Sequence, residues 1–409
     1  MTKDEFYREA RKDLRGPLQG IRVLEATTSW AGPMCGCMFA DLGADVIKVE
    51  VIEGEVGRRA GPFITGEGSK ISFLHATVNR NKRSLTLDLR KPEGRDIFLQ
   101  LAARSDVIIQ NFRPGTFDKW GIGYEDCRKA KPDIVYVSIS GFGQFGPDHD
   151  RPGYDPVAEA ASGFMSLNGS PDGGPVRCAT YLGDDLAGLH GALSALAALR
   201  HRDATGEGQH IDVSLMDSIL FQSNGMLTLG AIGHPMPRIG NRSLFSAPVD
   251  AFECADGHVF VAVLLEPHWR ALTKIIGHPE LAEDPRFKDL VARHHNRDAT
   301  DAFVATWMKT QKKADVERIF AEVGIPAAAV KTYAEAAANP HVTERDMLQP
   351  FEQEDGKTVP LTGPAAKFSR TPTKVRTRAA KLGEHTDEVL AELGIEPLKR
   401  QQLRTGKVI

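Results

Sequence analysis

Several absences in this 409-residue chain narrow its function before any motif is read. No stretch approaches 18 uncharged apolar residues, so no membrane-spanning helix is expected. The opening Met1-Thr2-Lys3-Asp4-Glu5-Phe6-Tyr7-Arg8 carries charge but lacks the apolar core a signal peptide needs, and a cytoplasmic location is expected. Cysteine is sparse and odd in number: Cys35, Cys37, Cys127, Cys178 and Cys254, with one C-x-C and no C-x-x-C. This pattern argues against a disulfide framework and a zinc site, so reduced thiols and no metal are expected, with Cys35 and Cys37 as small buried residues. A net charge of −3 gives no electrostatic case for nucleic acid or an anionic membrane surface. No G-x-G-x-x-G opens the first strand-to-helix turn, and no G-x-x-x-x-G-K-[ST] occurs. The Gly-rich run Gly141-Phe142-Gly143-Gln144-Phe145-Gly146 precedes Pro147 and an acidic turn instead of a helix, and reads as a loop. No G-x-S-x-G elbow or suitable Cys/His pattern supports a hydrolase.

From residue 20 onward, short β-branched runs alternate with helical patterns. The strands are read at Ile21–Glu25, Val46–Glu50, Asp106–Gln110, Asp133–Ile139 and His210–Ser214, with helices near 33–42, 92–104 and 123–130. Such alternation implies a parallel sheet covered by helices on both faces, with ligands beyond the carboxyl ends of the strands. The loops at those ends are Thr27 to Pro33, Asn111 to Gly115 and Ser140 to Gln144. Beyond about residue 230 the texture changes. A hairpin pattern, Val249–Cys254 and Val259–Val263 around Asp256-Gly257, leads into helical stretches at 269–276, 301–308 and 314–322, which together read as a smaller α+β domain. Near the C-terminus, Thr386 or Asp387 lies before an apolar run and reads as a capped helix start.

The most informative stretch is Ala179-Thr180-Tyr181-Leu182-Gly183-Asp184-Asp185 and the helix after it. Leu186, Leu189, Leu193 and Leu196 recur at three- and four-residue spacing, which predicts an amphipathic helix over 186–201 with Asp184 or Asp185 at its N-terminus. There the unpaired N–H groups and the helix dipole favour an ionised carboxylate. The plain reading of such an Asp is an N-cap.

Eight motifs in a fixed order resemble the class III CoA-transferases, the family of formyl-CoA transferase and carnitine CoA-transferase, which also includes α-methylacyl-CoA racemase. They are Pro17 to Leu24, Ala31-Gly32-Pro33, Leu42 to Glu50, Asn79-Arg80-Asn81-Lys82-Arg83-Ser84, Asn111-Phe112-Arg113-Pro114-Gly115, Gly183-Asp184, Thr205 to Gln209, and Gly383-Glu384-His385-Thr386. The resemblance implies a doubly wound, Rossmann-like large domain built from both chain ends, with residues 1–225 as its CoA-binding N-terminal part. Residues 226–330 would form the smaller domain and 331–409 the returning segment. It also implies an interlocked dimer: a homodimer is expected, with a hetero-oligomer containing a paralogous subunit as an alternative.

The same resemblance places the nucleophilic aspartate on Asp184, with Asp185 the less favoured choice. It implies acyl transfer with acyl-CoA as substrate and no permanently bound cofactor. Ser29 and Trp30 would meet CoA, Asn111 and Phe112 would line the pantetheine and adenine region, and Lys119 would stand where the family often has an Arg for the phosphates. Lys82 and Arg83 would add positive charge. Trp30, Phe142, Phe164, Met165 and Met216 are candidates for an apolar acyl pocket. The chain departs from the family pattern at Val51, where several relatives have an Arg, and at Ser140, where formyl-CoA transferase has a Lys. The Gly-rich lid is also missing from Arg238 to Ser243, so formyl-CoA and oxalate are not the expected substrates. Succinyl-CoA is the donor that family frequency points to. Racemase chemistry needs a His-Asp acid/base pair. Here Tyr154 of Pro152-Gly153-Tyr154-Asp155 stands in place of that His, and a phenol with a pKa near 10 is a poor base at neutral pH. A non-catalytic CoA-binding subunit is the remaining alternative, and the retained Gly183-Asp184 argues against it.

Overall fold

The computed structural model describes residues 1–63, 71–353 and 356–409. Six strands, β1 (Arg22–Ala26), β2 (Asp45–Glu50), β3 (Arg83–Thr86), β4 (Val107–Gln110), β5 (Val135–Ser140) and β6 (Gln209–Ser214), form one parallel sheet in the order β3-β2-β1-β4-β5-β6. The chain winds outward in both directions from the β1/β4 pair, which leaves a crevice where the loops leaving these two strands diverge.

Alternate residues of the central strands serve opposite faces, as the two-residue period of a strand requires. Val23, Val107, Ile109, Val135 and Val137 pack with α1 (Ala31–Asp41) and the long helix of residues 182–205 through Cys35, Phe39, Ala192 and Leu199. On the other face, Leu24, Ile108 and Tyr136 pack with α2 (Pro92–Ala102) through Ile97, Phe98 and Leu101, and with Leu390, Leu403 and Ile409 of the C-terminal segment. Burial on both faces explains why these strands read as unbroken apolar runs. The next helices in chain order are α3 (Tyr124–Ala130), α4 (Asp155–Ala161) and α5 (Leu182–Thr205), the long helix just named, with α6 (Leu215–Phe221) following β6.

Four sequence expectations need correction. First, α5 begins at Leu182, so Asp184 and Asp185 lie inside its first turn instead of capping it. Second, only half of the leucine stripe packs: Leu186 and Leu196 lie against the core. Leu189 and Leu193 are 46% and 61% exposed, while Ala187, Gly188, Gly191, Ala192 and Ala195 are buried. A Cβ at Gly188 would lie 2.9 Å from Met34 Cγ, and one at Gly191 3.1 Å from Cys35 Sγ, so small residues bring α5 close against α1. Overpacking there costs about 1–3 kcal/mol. Third, β3 pairs with β2 along Ile47↔Arg83 to Glu50↔Thr86 where no strand was expected, because four residues with a charged first member carry no apolar alternation. At the C-terminus the helix Thr386–Glu392 has no side-chain cap; Thr386 Oγ1 instead accepts from Thr86 N at 3.2 Å.

The chain divides into two compact units, 1–165 with 177–234 and 340–409, and 166–176 with 235–339. In the second, β7 (Val249–Cys254), β8 (Gly257–Ala262) and β9 (Ala327–Ala329) form an antiparallel sheet over Phe252, Val261, Trp269, Leu272 and Phe320. Residues 166–176 lie in this second unit, inside the 1–225 expected for the large domain. Among the described residues no helix is long and apolar enough to cross a membrane, and all five cysteines are free.

Candidate active site

The start of α5 is capped from another helix. Tyr181, which precedes it, makes no side-chain cap, and the first intrahelical bond runs from Asp185 N to Tyr181 O at 2.9 Å. The N–H groups of Gly183 and Asp184 donate instead to Oδ1 of Asp155, the first residue of α4, at 2.6 and 3.3 Å. This accounts for the Gly-Asp pair physically. A Cβ at position 183 would lie 3.1 Å from Asp155 Oδ1 and 2.9 Å from Ile219 Cδ1, so glycine admits the borrowed cap. Asp184 is thereby released from capping, and among the described residues nothing donates a hydrogen bond to its carboxyl oxygens. Burial, and then the charges of Asp155 and Asp185, push the Asp184 carboxyl up to about 7. Asp185 is raised by burial too, but Trp30 opposes this by donating from Nε1 to Asp185 Oδ1 at 2.6 Å.

Asp184 lines a cleft of about 250 Å³ at the carboxyl ends of β1, β4 and β5, together with Ser29, Trp30, Asn111, Phe112 and Ser140. The cleft therefore gathers six of the nine residues expected from sequence. Some also hold its walls. Asn111 accepts from Thr28 N at 2.9 Å and donates to Thr28 O at 2.8 Å, tying the β1 and β4 loops together. Ser29, at φ 67°, donates its N–H to Glu55 Oε2 at 3.1 Å. Phe112 packs on Phe117 and Trp120 at ring distances of 5.1 and 5.5 Å. Ser140 Oγ accepts from Gly143 N at 3.0 Å.

The other three do not join them. Lys82 is buried, with Nζ donating to Pro33 O at 2.8 Å and Asn79 Oδ1 at 3.0 Å and pairing with Glu25 at 2.7 Å, so its charge is consumed inside the fold. Arg83 stands at the amino end of the sheet, paired with Asp45, Glu388 and Glu392 at 2.6–2.9 Å beside a larger cavity of about 800 Å³. Lys119 is exposed at the end of a short helix outside the cleft. The basic side chains that do line the cleft are Arg113 and Arg151, with the imidazole of His149 beside them. Arg113 was visible inside the Asn-Phe-Arg-Pro-Gly motif; His149 and Arg151 lie in a loop with no periodic signal. Of the five candidates for an apolar acyl pocket, only Trp30 lines the cleft. Phe142 instead lies under the Arg151 guanidinium, 5.0 Å from its ring centre.

The family model of CoA-transferase family III matches residues 18–386. The chain is 38% identical to the succinyl-CoA–L-malate CoA-transferase beta subunit of Chloroflexus aurantiacus, over 96% of this chain and 98% of that protein. It is likewise 38% identical to the succinate–glutarate CoA-transferase of Agrobacterium fabrum, over 92% and 96%. The crystal structure of a CAIB/BAIF family protein from Brucella suis superposes with a TM-score of 0.82 at 36% identity, covering 93% of this chain and all of that one.

Proposed function

The chain belongs to CoA-transferase family III, and from that premise we propose that it moves CoA from succinyl-CoA to a carboxylic acid acceptor, with Asp184 as the nucleophile. The observation that carries this reading is the state of Asp184: a carboxyl in the cleft, relieved of capping by Asp155 and ionising near neutral pH. A carboxylate that is desolvated and unbonded is a better nucleophile than one held by backbone N–H groups.

In the proposed sequence, the Asp184 carboxylate attacks the thioester carbonyl, the C–S bond breaks, and CoA leaves as the thiolate. The mixed anhydride is then attacked at the aspartyl carbonyl by that thiolate, which releases the donor acid as its carboxylate and leaves an aspartyl-CoA thioester. The acceptor carboxylate attacks this thioester, forming a second anhydride and freeing the thiolate again. Attack of the thiolate on the acceptor carbonyl gives the new acyl-CoA and restores Asp184. Ser29, Trp30, Asn111, Phe112 and Ser140 are read as walls of the CoA site. Arg113, His149 and Arg151 are read as partners for the substrates' anionic groups, which suits the dicarboxylates named for the relatives. The active form is read as the family's interlocked homodimer, with pairing to a paralogous subunit as the alternative that the name of the Chloroflexus relative suggests.

Racemase-type proton transfer is the second reading, and one observation favours it: His149 shares the cleft with Asp184. Tyr154, at the expected position of the base, is 71% exposed. Incubation with succinyl-CoA and a panel of C4 and C5 acids decides between them. The expected result is a new acyl-CoA and free succinate in equal amounts. Solvent deuterium entering the α-carbon of a branched acyl-CoA, with no transfer to any acid, would replace this reading with the second.

A further inference from the structure

Beneath Asp184 lies a second pair of carboxyls that the transfer steps do not use. Asp155 and Glu159 stand one turn apart on α4, 2% and 0% exposed. Each also faces backbone donors. Asp155 Oδ1 takes the N–H groups of Gly183 and Asp184, and Glu159 Oε2 takes that of Cys178 at 2.7 Å. The remaining oxygens, Asp155 Oδ2 and Glu159 Oε1, are buried and have no donor among the described residues. Two buried carboxyls one turn apart, each with an oxygen that no donor reaches, are satisfied together when one of them carries a proton that the other accepts.

We propose that Asp155 and Glu159 share a single proton, held on Glu159 and donated to Asp155, and that this pair is a positioning element that keeps the first turn of α5 capped so that Asp184 stays free to react. Donor counting assigns the proton: Asp155 has two backbone N–H donors and Glu159 has one, so the charge is better stabilised on Asp155. The surrounding charges agree. Asp184 and Asp185 of α5 stand beside the pair as two further carboxyls, α6 brings Ile219 against Gly183 and carries Asp217 as its single ionisable residue, and Arg177 is the cation acting on Glu159. With one cation among so many carboxyls, a second full charge on the pair has little to support it. Burial, and then the neighbouring Asp155 carboxyl, raise Glu159 above the usual carboxyl range. Loss of the Glu159 proton would place two like charges side by side and pull Asp155 away from the helix start, leaving the Gly183 and Asp184 N–H groups to compete for the Asp184 carboxylate.

Two measurements test the pair, and only the second rests on Asp184 being the nucleophile. Infrared spectra at pH 7.5 are compared for Asp184→Asn and Asp184→Asn/Glu159→Gln. The first should show a protonated carboxylic acid band that the second lacks; no such band, or one that survives the Gln substitution, overturns the proposal. Steady-state kinetics with succinyl-CoA are then compared for Glu159→Gln and Glu159→Leu. Gln supplies the same donor and acceptor as a protonated Glu, so it should keep kcat within about threefold and leave the acid limb of the pH profile in place. Leu should lower kcat at least tenfold with little change in KM. Equal losses in both variants overturn the proposal, as does a downward shift of the acid limb in Glu159→Gln, which would mean a charge had been removed. If Glu159→Leu does not fold, the Gln profile and the infrared band still decide.

Discussion

Two clusters of buried charge lie in the same unit, and their contrast separates a wall of the fold from the site proposed for chemistry. Under β1 and β2, Glu25 is fully buried between Lys48 at 3.0 Å and Lys82 at 2.7 Å, and Gly36 leaves the space, since a Cβ there would meet Glu25 Oε2. Burial alone would raise the Glu25 carboxyl, but the two lysines outweigh it and hold it below its usual range. At the start of α5, Asp155, Glu159, Asp184 and Asp185 gather with Arg177 as the one cation acting on them, and the shifts of Glu159, Asp184 and Asp185 are all upward. Buried charges that are paired build a wall. Buried carboxyls left short of partners store reactivity, which is why perturbed carboxyls cluster at functional sites.

Substitutions can break this contrast on either side. The largest effect is expected from Asp184→Asn, which should lower CoA transfer at least about a thousandfold, as loss of a covalent nucleophile does; transfer assays with succinyl-CoA, alongside a melting curve, check it. On the paired side, Glu25→Leu strands two buried lysines and should cost about 3–5 kcal/mol of stability in urea unfolding.

The pH dependence sharpens the contrast further. Asp184 holds its proton to a higher pH in the folded protein than in the unfolded chain, so the folded state binds more protons between about pH 4 and 7. Stability therefore falls as pH rises through that window, while activity is expected to rise with the carboxylate that the proposed mechanism uses. Asp184→Asn should be more stable than the parent at pH 8 by up to about 4 kcal/mol, at about 1.4 kcal/mol per unit, and less where solvent screens the charge. At pH 4 the two should unfold alike. The smallest effect is expected from Trp30→Phe, which keeps the ring but removes the bond to Asp185. A loss of about 1 kcal/mol, roughly fivefold in kcat/KM, is expected from steady-state rates.

Much of this was legible in the sequence where burial on both faces writes apolar runs. The five expected strands fall within two residues of β1, β2, β4, β5 and β6 at each end, and the loops carrying Ser29, Trp30, Asn111 and Ser140 do meet Asp184. What escaped were features that depend on partners distant in the chain. Lys82 looks like a surface cation until Glu25, 57 positions earlier, is seen to bury it. The cap of α5 comes from Asp155, which its own neighbourhood marks only as the start of another helix. The leucine stripe was half right: Leu186 and Leu196 pack, but its periodicity outweighs the small residues that bring α5 against α1.

The central claim, that Asp184 forms the covalent link, is tested most directly by trapping. The protein is incubated with succinyl-CoA and hydroxylamine, digested and analysed by mass spectrometry. A hydroxamate on Asp184, absent when succinyl-CoA is omitted, is the result expected. A hydroxamate on Asp185, or full CoA transfer with no aspartate modified, would contradict it.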